Sequence, residues 1–302
     1  MRAIIKTEFL KIKRYHIIWA GVGLMLLSVL LTLFTSTAND GSVWTFSYLA
    51  EQVIKNNMSM IFPMCITLIA GYLVSREQTD DTLKNLLTIP VSLKRLMVGK
   101  LVVCGALSIL LGLVSAIFTI IAGVFVGYPG LTFSAAMYAS IQITALNIFL
   151  YIAVLPIIIL TSRMSNGALI GCIIAFVYGY GGMFASGNMT LANFYPITAS
   201  LGLIGYRAYD AAVNWNVIHC LCSIAAVIII SAVLVMLSKK CRTEENNVKN
   251  TKKVKNQKRM VRKEGNMKKK VFIIGIPVVV ILLFCFCAWL FIALTANTIM
   301  LK

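Results

Sequence analysis

Seven long apolar runs dominate this sequence and limit what the chain can fold into. They lie at about 17–34, 58–75, 101–126, 133–161, 167–184, 217–238 and 271–296. About 20 apolar residues coiled as an α-helix span the hydrocarbon core of a bilayer, which is roughly 30 Å thick. The segments between the runs are too short to build a soluble core, and only 13% of all residues are charged. The sequence therefore predicts an all-α, polytopic membrane protein.

The distribution of basic residues predicts how these runs cross the membrane. Of the 28 Lys and Arg residues, only Lys55, Arg207 and Lys302 fall outside the segments that share a side with the N-terminus. Because connecting segments rich in Lys and Arg stay in the cytoplasm, we expect an N-terminus inside and six crossings up to residue 238. The formal net charge of +18 comes without the aromatic and base-reading groups of a nucleic-acid surface. We therefore expect no nucleic-acid partner.

The residue types needed for catalysis, cofactor binding or metal binding are scarce. The chain has no P-loop pattern, so we expect no nucleotide site of its own. His16 and His219 lie far apart in the sequence, and the eight cysteines lack the spacing of zinc ligands. None of the ten acidic residues lies inside an apolar run, although ion-coupled transporters commonly keep such groups. We expect a protein that is not an enzyme, holds no cofactor and draws any transport energy from a partner.

The N-terminal segment, residues 1–16, is predicted to be an amphipathic helix on the membrane surface. Ile4, Phe9 and Ile12 fall near one helical face, and Lys6 lies beside that face. Helices with this combination of apolar and basic residues lie in the plane of the bilayer interface. The core of six spans then occupies residues 17–238.

The C-terminal part differs abruptly in composition from the rest of the chain. Residues 239–270 contain fourteen Lys or Arg against three Glu, without apolar periodicity, and are predicted to be a basic cytoplasmic linker. The run at 271–296 follows Met267 and three lysines, like the beginning of a separate small membrane protein. Two interpretations stay open: a seventh transmembrane helix of this protein, or a small membrane protein fused by readthrough.

The segment between the second and third spans, REQTDDTLKNLLTIPVSLKRLMVGK, carries the most specific pattern. Leu83, Leu86 and Leu87 recur at helical spacing, and Pro90 ends the helix because it pushes the preceding residue out of the α conformation. The segment therefore predicts a short amphipathic helix that is joined to two spans and whose apolar face needs a partner. An ordinary connecting turn is the alternative.

This segment resembles the pattern E…G-T-L-x-x-L-L-x-x-P-x-S…K of ABC-2 exporter permease subunits, particularly the bacitracin- and lantibiotic-resistance type. The matching residues are Glu77, Thr82, Leu83, Lys84, Leu86, Leu87, Pro90, Val91, Ser92 and Lys100. Asp81 departs from the pattern, because the family usually has glycine there. The resemblance implies that this helix couples the permease to an ATPase. The implied coupling residues are Glu77, Thr82, Leu83, Leu86, Leu87 and Pro90.

The resemblance also implies an architecture and a function for the whole chain. Residues 1–16 would be an elbow helix, 17–238 a six-helix permease core, and 188–216 a pair of re-entrant helices. A cytoplasmic ABC ATPase and a second permease chain, identical or different, would complete an exporter among the lipids of the bacterial cytoplasmic membrane. The implied cargo is a membrane-active peptide antibiotic of the bacitracin or lantibiotic class.

Two alternatives to that function remain open. The first is an ABC-2 permease for another lipophilic drug or lipid, and the second is a membrane immunity or sensor protein that transports nothing. The residues that contact the substrate are not predicted, because an apolar pathway leaves no chemical pattern in the sequence.

Overall fold

The part of the chain that the structure, a computed structural model, describes consists of helices joined by turns. This part comprises residues 2–12, 17–36, 44–79, 93–162, 164 and 167–253. Its elements are α1 Arg2–Ile12, α2 Ile17–Ser36, α3 Phe46–Asn56, a π-helix Asn57–Ile61, α4 Phe62–Thr79, α5 Leu93–Val126, α6 Phe133–Thr161, α7 Gly167–Ala185, α8 Met189–Phe194, α9 Pro196–Leu203 and α10 Val217–Lys253. No strand occurs in these ranges, and the all-α prediction is confirmed.

Six stretches within the described ranges are long and apolar enough to cross a membrane. They are Ile17–Ser36, Phe46–Val74, Arg95–Val126, Phe133–Thr161, Gly167–Ala185 and Val217–Leu237. Large apolar side chains such as Trp19, Phe34 and Phe125 are exposed on their outer faces. An apolar surface of this extent suits contact with lipid rather than with water. The structure confirms a polytopic membrane fold.

The second span begins earlier than the apolar run at 58–75 predicts. Helix α3 begins at Phe46, and the side-chain oxygen of Thr45 caps it by accepting a hydrogen bond from the Tyr48 amide at 3.3 Å. Polar residues interrupt the apolar pattern beyond this cap, which is why the apolar run of the second span begins only at about residue 58 in the sequence. They are tolerated inside the bundle because they find hydrogen-bonding partners.

Asn57, at the start of the π-helix, shows how such a residue is accommodated. Its Nδ2 donates a hydrogen bond to Ser115 Oγ at 3.0 Å, and its Oδ1 accepts one from Ser28 Oγ at 2.7 Å. All three residues are fully buried. The π-helix thereby carries the chain from α3 into α4 while its first side chain links α2 to α5.

Small residues allow neighbouring helices to approach closely at two places. A Cβ atom at Gly112 of α5 would lie 2.9 Å from the Cα atom of Thr144 on α6. A Cβ atom at Gly71 of α4 would lie 2.4 Å from the Cα atom of Ala168 on α7. Close contacts between small residues are a common way for membrane helices to associate. These two contacts pack α5 against α6 and α4 against α7.

Helix α1 packs differently from the amphipathic pattern predicted for residues 1–16. Ile12 is buried, but Phe9, which the sequence placed on the same apolar face, is 54% exposed. Glu8 takes a position on the buried face, with only 4% of its surface exposed. The reason is an ion pair with a residue far along the chain, because a carboxylate is buried only where a partner offsets the lost hydration.

Two short helices, α8 and α9, occupy the first part of the segment predicted as re-entrant, 188–216. Asn188 caps α8, and Pro196 begins α9 at the first helical position, where its missing amide is not needed. The chain then makes a series of turns before α10 begins at Val217. The re-entrant position of this pair in a bilayer stays a prediction.

Helix α10 continues to Lys253, past the point where the sequence predicts the basic linker 239–270 to begin. The first part of that predicted linker is therefore helical. Residues 254–302, including Met267 and the apolar run at 271–296, lie outside the described residues. Both interpretations of that run therefore stay predictions.

Candidate functional site

The structure shows the two helices that flank the predicted coupling segment. Glu77 lies in α4, near the end of that helix at Thr79, and α5 begins at Leu93. The other predicted coupling residues, Thr82, Leu83, Leu86, Leu87 and Pro90, lie outside the described residues. The described part of the site therefore consists of the end of α4, the beginning of α5 and the residues that pack against both helices.

Lys100, in the second turn of α5, is the central residue of this part of the site. Its Nζ donates a hydrogen bond to Glu8 Oε2 of α1 at 2.9 Å and another to the carbonyl oxygen of Leu73 in α4 at 3.1 Å. The side chains of Lys100 and Glu8 are only 6% and 5% exposed. A buried ammonium group needs such acceptors, because burial removes its hydration. One side chain thus holds three helices together, and we call Glu8, Leu73 and Lys100 the junction.

The carboxylate of Glu8 has a second cationic partner. Lys11 Nζ, one turn further along α1, lies 2.7 Å from Glu8 Oε1. Burial by itself raises the pKa of Glu8, but the charges and hydrogen bonds of Lys100 and Lys11 outweigh it and hold the pKa below its ordinary value. Glu8 is therefore ionised at neutral pH, and the junction contains a true ion pair.

Direct packing brings α1 onto α5 beside this ion pair. A Cβ atom at Gly99 would lie 2.9 Å from Ile4 Cγ2, so the helix backbone of α5 is in close contact with an α1 side chain. Since Leu73 and Lys100 lie shortly before and after the segment 80–92, the junction restrains both helices that lead into it.

The family pattern includes Lys100 but gives it no role, and no pattern in the sequence points to Glu8. The two residues are 92 positions apart, and no periodicity relates them. The available signal was a single acidic residue within a strongly basic N-terminal segment. An acidic side chain in such a segment can form an ion pair with a buried cation from another helix.

A second ion pair lies at the opposite end of the bundle. Arg207 Nε donates to Glu51 Oε2 at 2.7 Å, and the Tyr209 hydroxyl donates to Glu51 Oε1 at 2.6 Å. The guanidinium carbon of Arg207 lies 5.8 Å from the ring centroids of Tyr48 and Tyr206. This cluster attaches the turns after α9 to α3.

Within the described ranges, no group of three or more His, Cys, Asp or Glu side chains lies close enough to hold a metal ion. The clusters at both ends of the bundle are built around a single carboxylate: Glu8 pairs with Lys100 and Lys11, and Glu51 pairs with Arg207 and accepts a hydrogen bond from Tyr209. Their geometry suits the positioning of helices rather than acid–base or metal chemistry.

Comparison with known proteins identifies the class to which these helices belong. The model of the ABC-2 family transporter proteins matches residues 4–182, which is more than half of the chain. The match covers most of α1, the predicted coupling segment, the first four spans and nearly all of the fifth. The chain therefore belongs to the ABC-2 transporter family, as a membrane-embedded permease and not as the ATPase.

One relative is described by its cargo. The bacitracin transport permease protein BCRB of Bacillus licheniformis is 34% identical to this chain over 98 residues. The aligned region covers 32% of this chain and 47% of that protein. The chain thus spans about half the length of the curated relative that it matches.

Proposed function

We propose that this chain is the transmembrane subunit of an ATP-driven exporter that removes a membrane-active peptide antibiotic from the bacterial cytoplasmic membrane. The observation that carries the proposal is membership in the ABC-2 family together with similarity to a bacitracin transport permease. The proposed cargo is accordingly of the bacitracin or lantibiotic class.

A cytoplasmic ABC ATPase supplies the energy in this proposal. The chain has no P-loop pattern, so ATP must be bound and hydrolysed by another subunit. The N-terminus and the segment 80–92 face the cytoplasm, where Leu83, Leu86 and Leu87 insert into a groove of the ATPase. Two permease chains and two ATPase chains form the working exporter.

The surfaces of the spans support a lipophilic cargo. Leu113, Ile117 and Ile121 form an exposed apolar stripe at helical spacing on α5, and Ile173 and Val177 do the same on α7. A peptide antibiotic that is already inserted in the membrane can reach such surfaces laterally, without first entering water. A strongly hydrated ion has no matching polar lining on these faces.

Drug susceptibility tests this proposal directly. The chain is expressed in a sensitive bacterium with its ATPase, identified by co-purification, and the inhibitory concentrations of bacitracin and of a lantibiotic are measured. We expect resistance only when both subunits are present and the ATPase is active. Resistance without ATP hydrolysis would instead indicate an immunity protein, and resistance to an unrelated lipophilic compound would indicate another cargo.

The coupling segment gives a sharper prediction. The double substitution Leu86→Asp/Leu87→Asp places charge on the face that is proposed to enter the ATPase groove, so we expect resistance to be lost. Glu77→Ala is expected to lower resistance in the same way. Both variants should still insert into the membrane, as measured by the amount of protein in membrane fractions.

A matched control separates charge from general sensitivity of this segment. Leu86→Met/Leu87→Met keeps an apolar face of similar volume and should retain resistance. Wild-type resistance in the aspartate variant would contradict the proposed role of the segment.

A further inference from the structure

We propose that Glu8 and Lys100 are positioning residues that make α1, the end of α4 and the beginning of α5 move as one body when the ATPase moves the segment 80–92. The coupled motion rests on the proposed function, whereas the connection between the three helices is a property of the structure. Through this connection, ATP-driven motion reaches α1, which has no covalent link to the coupling segment except through two spans.

The ammonium group of Lys100 connects three helices through its hydrogen bonds. It contacts Glu8 Oε2 at 2.9 Å and the Leu73 carbonyl at 3.1 Å, so α1 and α4 are both bound to one atom of α5. A displacement of α5 relative to either neighbour breaks one of these contacts inside the protein. The contacts therefore resist relative motion of the three helices where the segment 80–92 is attached.

The ion pair between Glu8 and Lys100 is shielded from solvent. Both side chains are almost fully buried, at 6% and 5% exposure. Apolar residues of similar volume commonly stabilise such a position as well as an ion pair does, or better. An ion pair differs from apolar packing because its hydrogen bonds have preferred distances and angles, which restrict the arrangements of the helices that keep them. This property suits a joint that must transmit motion.

The two faces of α1 differ in exposure. One face is held at the junction, while Phe9 and Leu10 on the other face are 54% and 58% exposed, with Lys6 exposed beside them. A helix anchored on one side and exposed on the other responds as a whole to movement of its anchor. The junction therefore makes α1 move when the segment 80–92 moves.

The test replaces the ion pair without leaving a buried charge. The variant Glu8→Met/Lys100→Met removes both charges and fills similar volume, so it is expected to fold and to insert. Its matched control is Glu51→Met/Arg207→Met, which removes the ion pair at the opposite end of the bundle. Both variants are purified as the full complex with the ATPase.

Two readouts are compared with the wild-type complex. The first is hydrogen exchange in the peptide that covers α1, with and without a trapped ATP analogue. The second is bacitracin resistance in cells. We expect the nucleotide-dependent change in α1 to disappear in Glu8→Met/Lys100→Met and resistance to fall roughly tenfold, within the usual range of allosteric coupling. The control should keep both.

A conservative variant distinguishes positioning from packing. Lys100→Arg keeps a donor group long enough to reach both acceptors, and it should restore the nucleotide response of α1 at least in part. A purely structural role predicts no difference in this response between the methionine and arginine variants of equal stability.

The outcomes separate this proposal from the proposed function. A nucleotide response of α1 that persists in Glu8→Met/Lys100→Met, or that is absent from the wild-type complex, would overturn the proposal. If the wild-type complex gives no resistance but α1 responds to nucleotide through the junction, the cargo is wrong and the positioning role stands.

Discussion

The two ends of the bundle each contain an ion pair between residues distant in sequence, and the pairs differ in burial. At one end Lys100 and Glu8 are 6% and 5% exposed, and at the other Arg207 and Glu51 are 31% and 11% exposed. Solvent reaches the Arg207 side chain of the second pair, although Glu51 is buried, so the attraction is screened more strongly there than in the first pair. The first pair is shielded, so each of its charges depends strongly on the other.

The pairs also differ in what they connect. The junction joins three helices, whereas Arg207 lies in the turns between α9 and α10 with a φ angle of 50°, a left-handed conformation that is uncommon for a residue with a side chain. Tyr209 completes this second cluster, and its hydrogen bond to Glu51 raises its pKa. The same kind of ion pair therefore joins helices at one end of the bundle and attaches a turn to a helix at the other.

Removing one cation from each pair gives the largest expected difference. Lys100→Met leaves the buried Glu8 carboxylate with Lys11 as its described remaining cation, and it should cost about 3–5 kcal/mol of unfolding free energy. Arg207→Met leaves the buried Glu51 carboxylate with the hydrogen bond from Tyr209, and because Arg207 is itself partly exposed the substitution should cost less, about 1–2 kcal/mol. Unfolding of the purified chain in mixed micelles measures both. An equal loss of unfolding free energy in the two variants would contradict the difference between the two ion pairs.

Substitution of one glycine near each end tests whether the difference extends to packing. At Gly71 an added Cβ meets the backbone of Ala168 at 2.4 Å, whereas at Gly123 it meets a ring carbon of Phe46 at 2.6 Å. Backbone cannot yield as a side chain can, so Gly71→Ala should cost more. We expect about 1–3 kcal/mol for Gly71→Ala, the usual range for overpacking, and less for Gly123→Ala.

Gly23→Ala is the matched control, because no atom lies within 4 Å of a Cβ at that position. It should be neutral or slightly stabilising, since alanine favours the helix. Thermal unfolding of the three variants ranks them. A larger loss at Gly123 than at Gly71 would show that the end with the exposed ion pair is the more rigidly packed one.

The pH dependence of the junction gives a smaller expected effect than Lys100→Met. The pKa of folded Glu8 lies below its ordinary value of 4.5, so the ion pair stabilises the fold above that value. This contribution is lost as the pH falls through the lower, folded pKa. Glu8→Gln keeps an oxygen that can accept from Lys100 but removes the charge, so it should be less stable than the wild type at about pH 7 by less than Lys100→Met, about 1–3 kcal/mol.

The difference between wild type and Glu8→Gln should shrink when stability is measured at successively lower pH. Thr7→Ala, an exposed and non-titrating change on the same helix, should show a difference that does not vary with pH. A Glu8→Gln effect that stays constant down to strongly acidic pH would mean that the charge of Glu8 does not stabilise the junction.

Most of the helical architecture could be predicted from the sequence. The apolar runs at 133–161 and 167–184 end within one residue of α6 and α7, because a long apolar segment has one favourable state in a bilayer, the helix that satisfies its own backbone. The start of the second span was missed because polar residues such as Asn57 interrupt the apolar pattern. Their burial depends on partners such as Ser28 and Ser115, which no local pattern reveals.

The candidate site was predictable only in part. The coupling segment is predicted from its own residues and from a family pattern, and both its helix and its contacts with an ATPase stay predictions. The contacts between the helices on either side of it were not predictable, since nothing in the sequence of residues 1–16 marks Glu8 as buried. Its burial follows from Lys100, and that residue was known from the sequence only as the last position of a motif.

The amino-acid sequence is enough to predict a multi-pass helical membrane protein and the position of most of its spans, because the free-energy cost of exposing an apolar segment to water is local to that segment. Which polar groups are buried, and what they join, follows only from the tertiary fold. Glu8 meets Lys100 across 92 positions, and Glu51 meets Arg207 across 156, because folding brings the ends of different helices together. A buried charge is stable only with its partner in place, and that partner is a property of the fold.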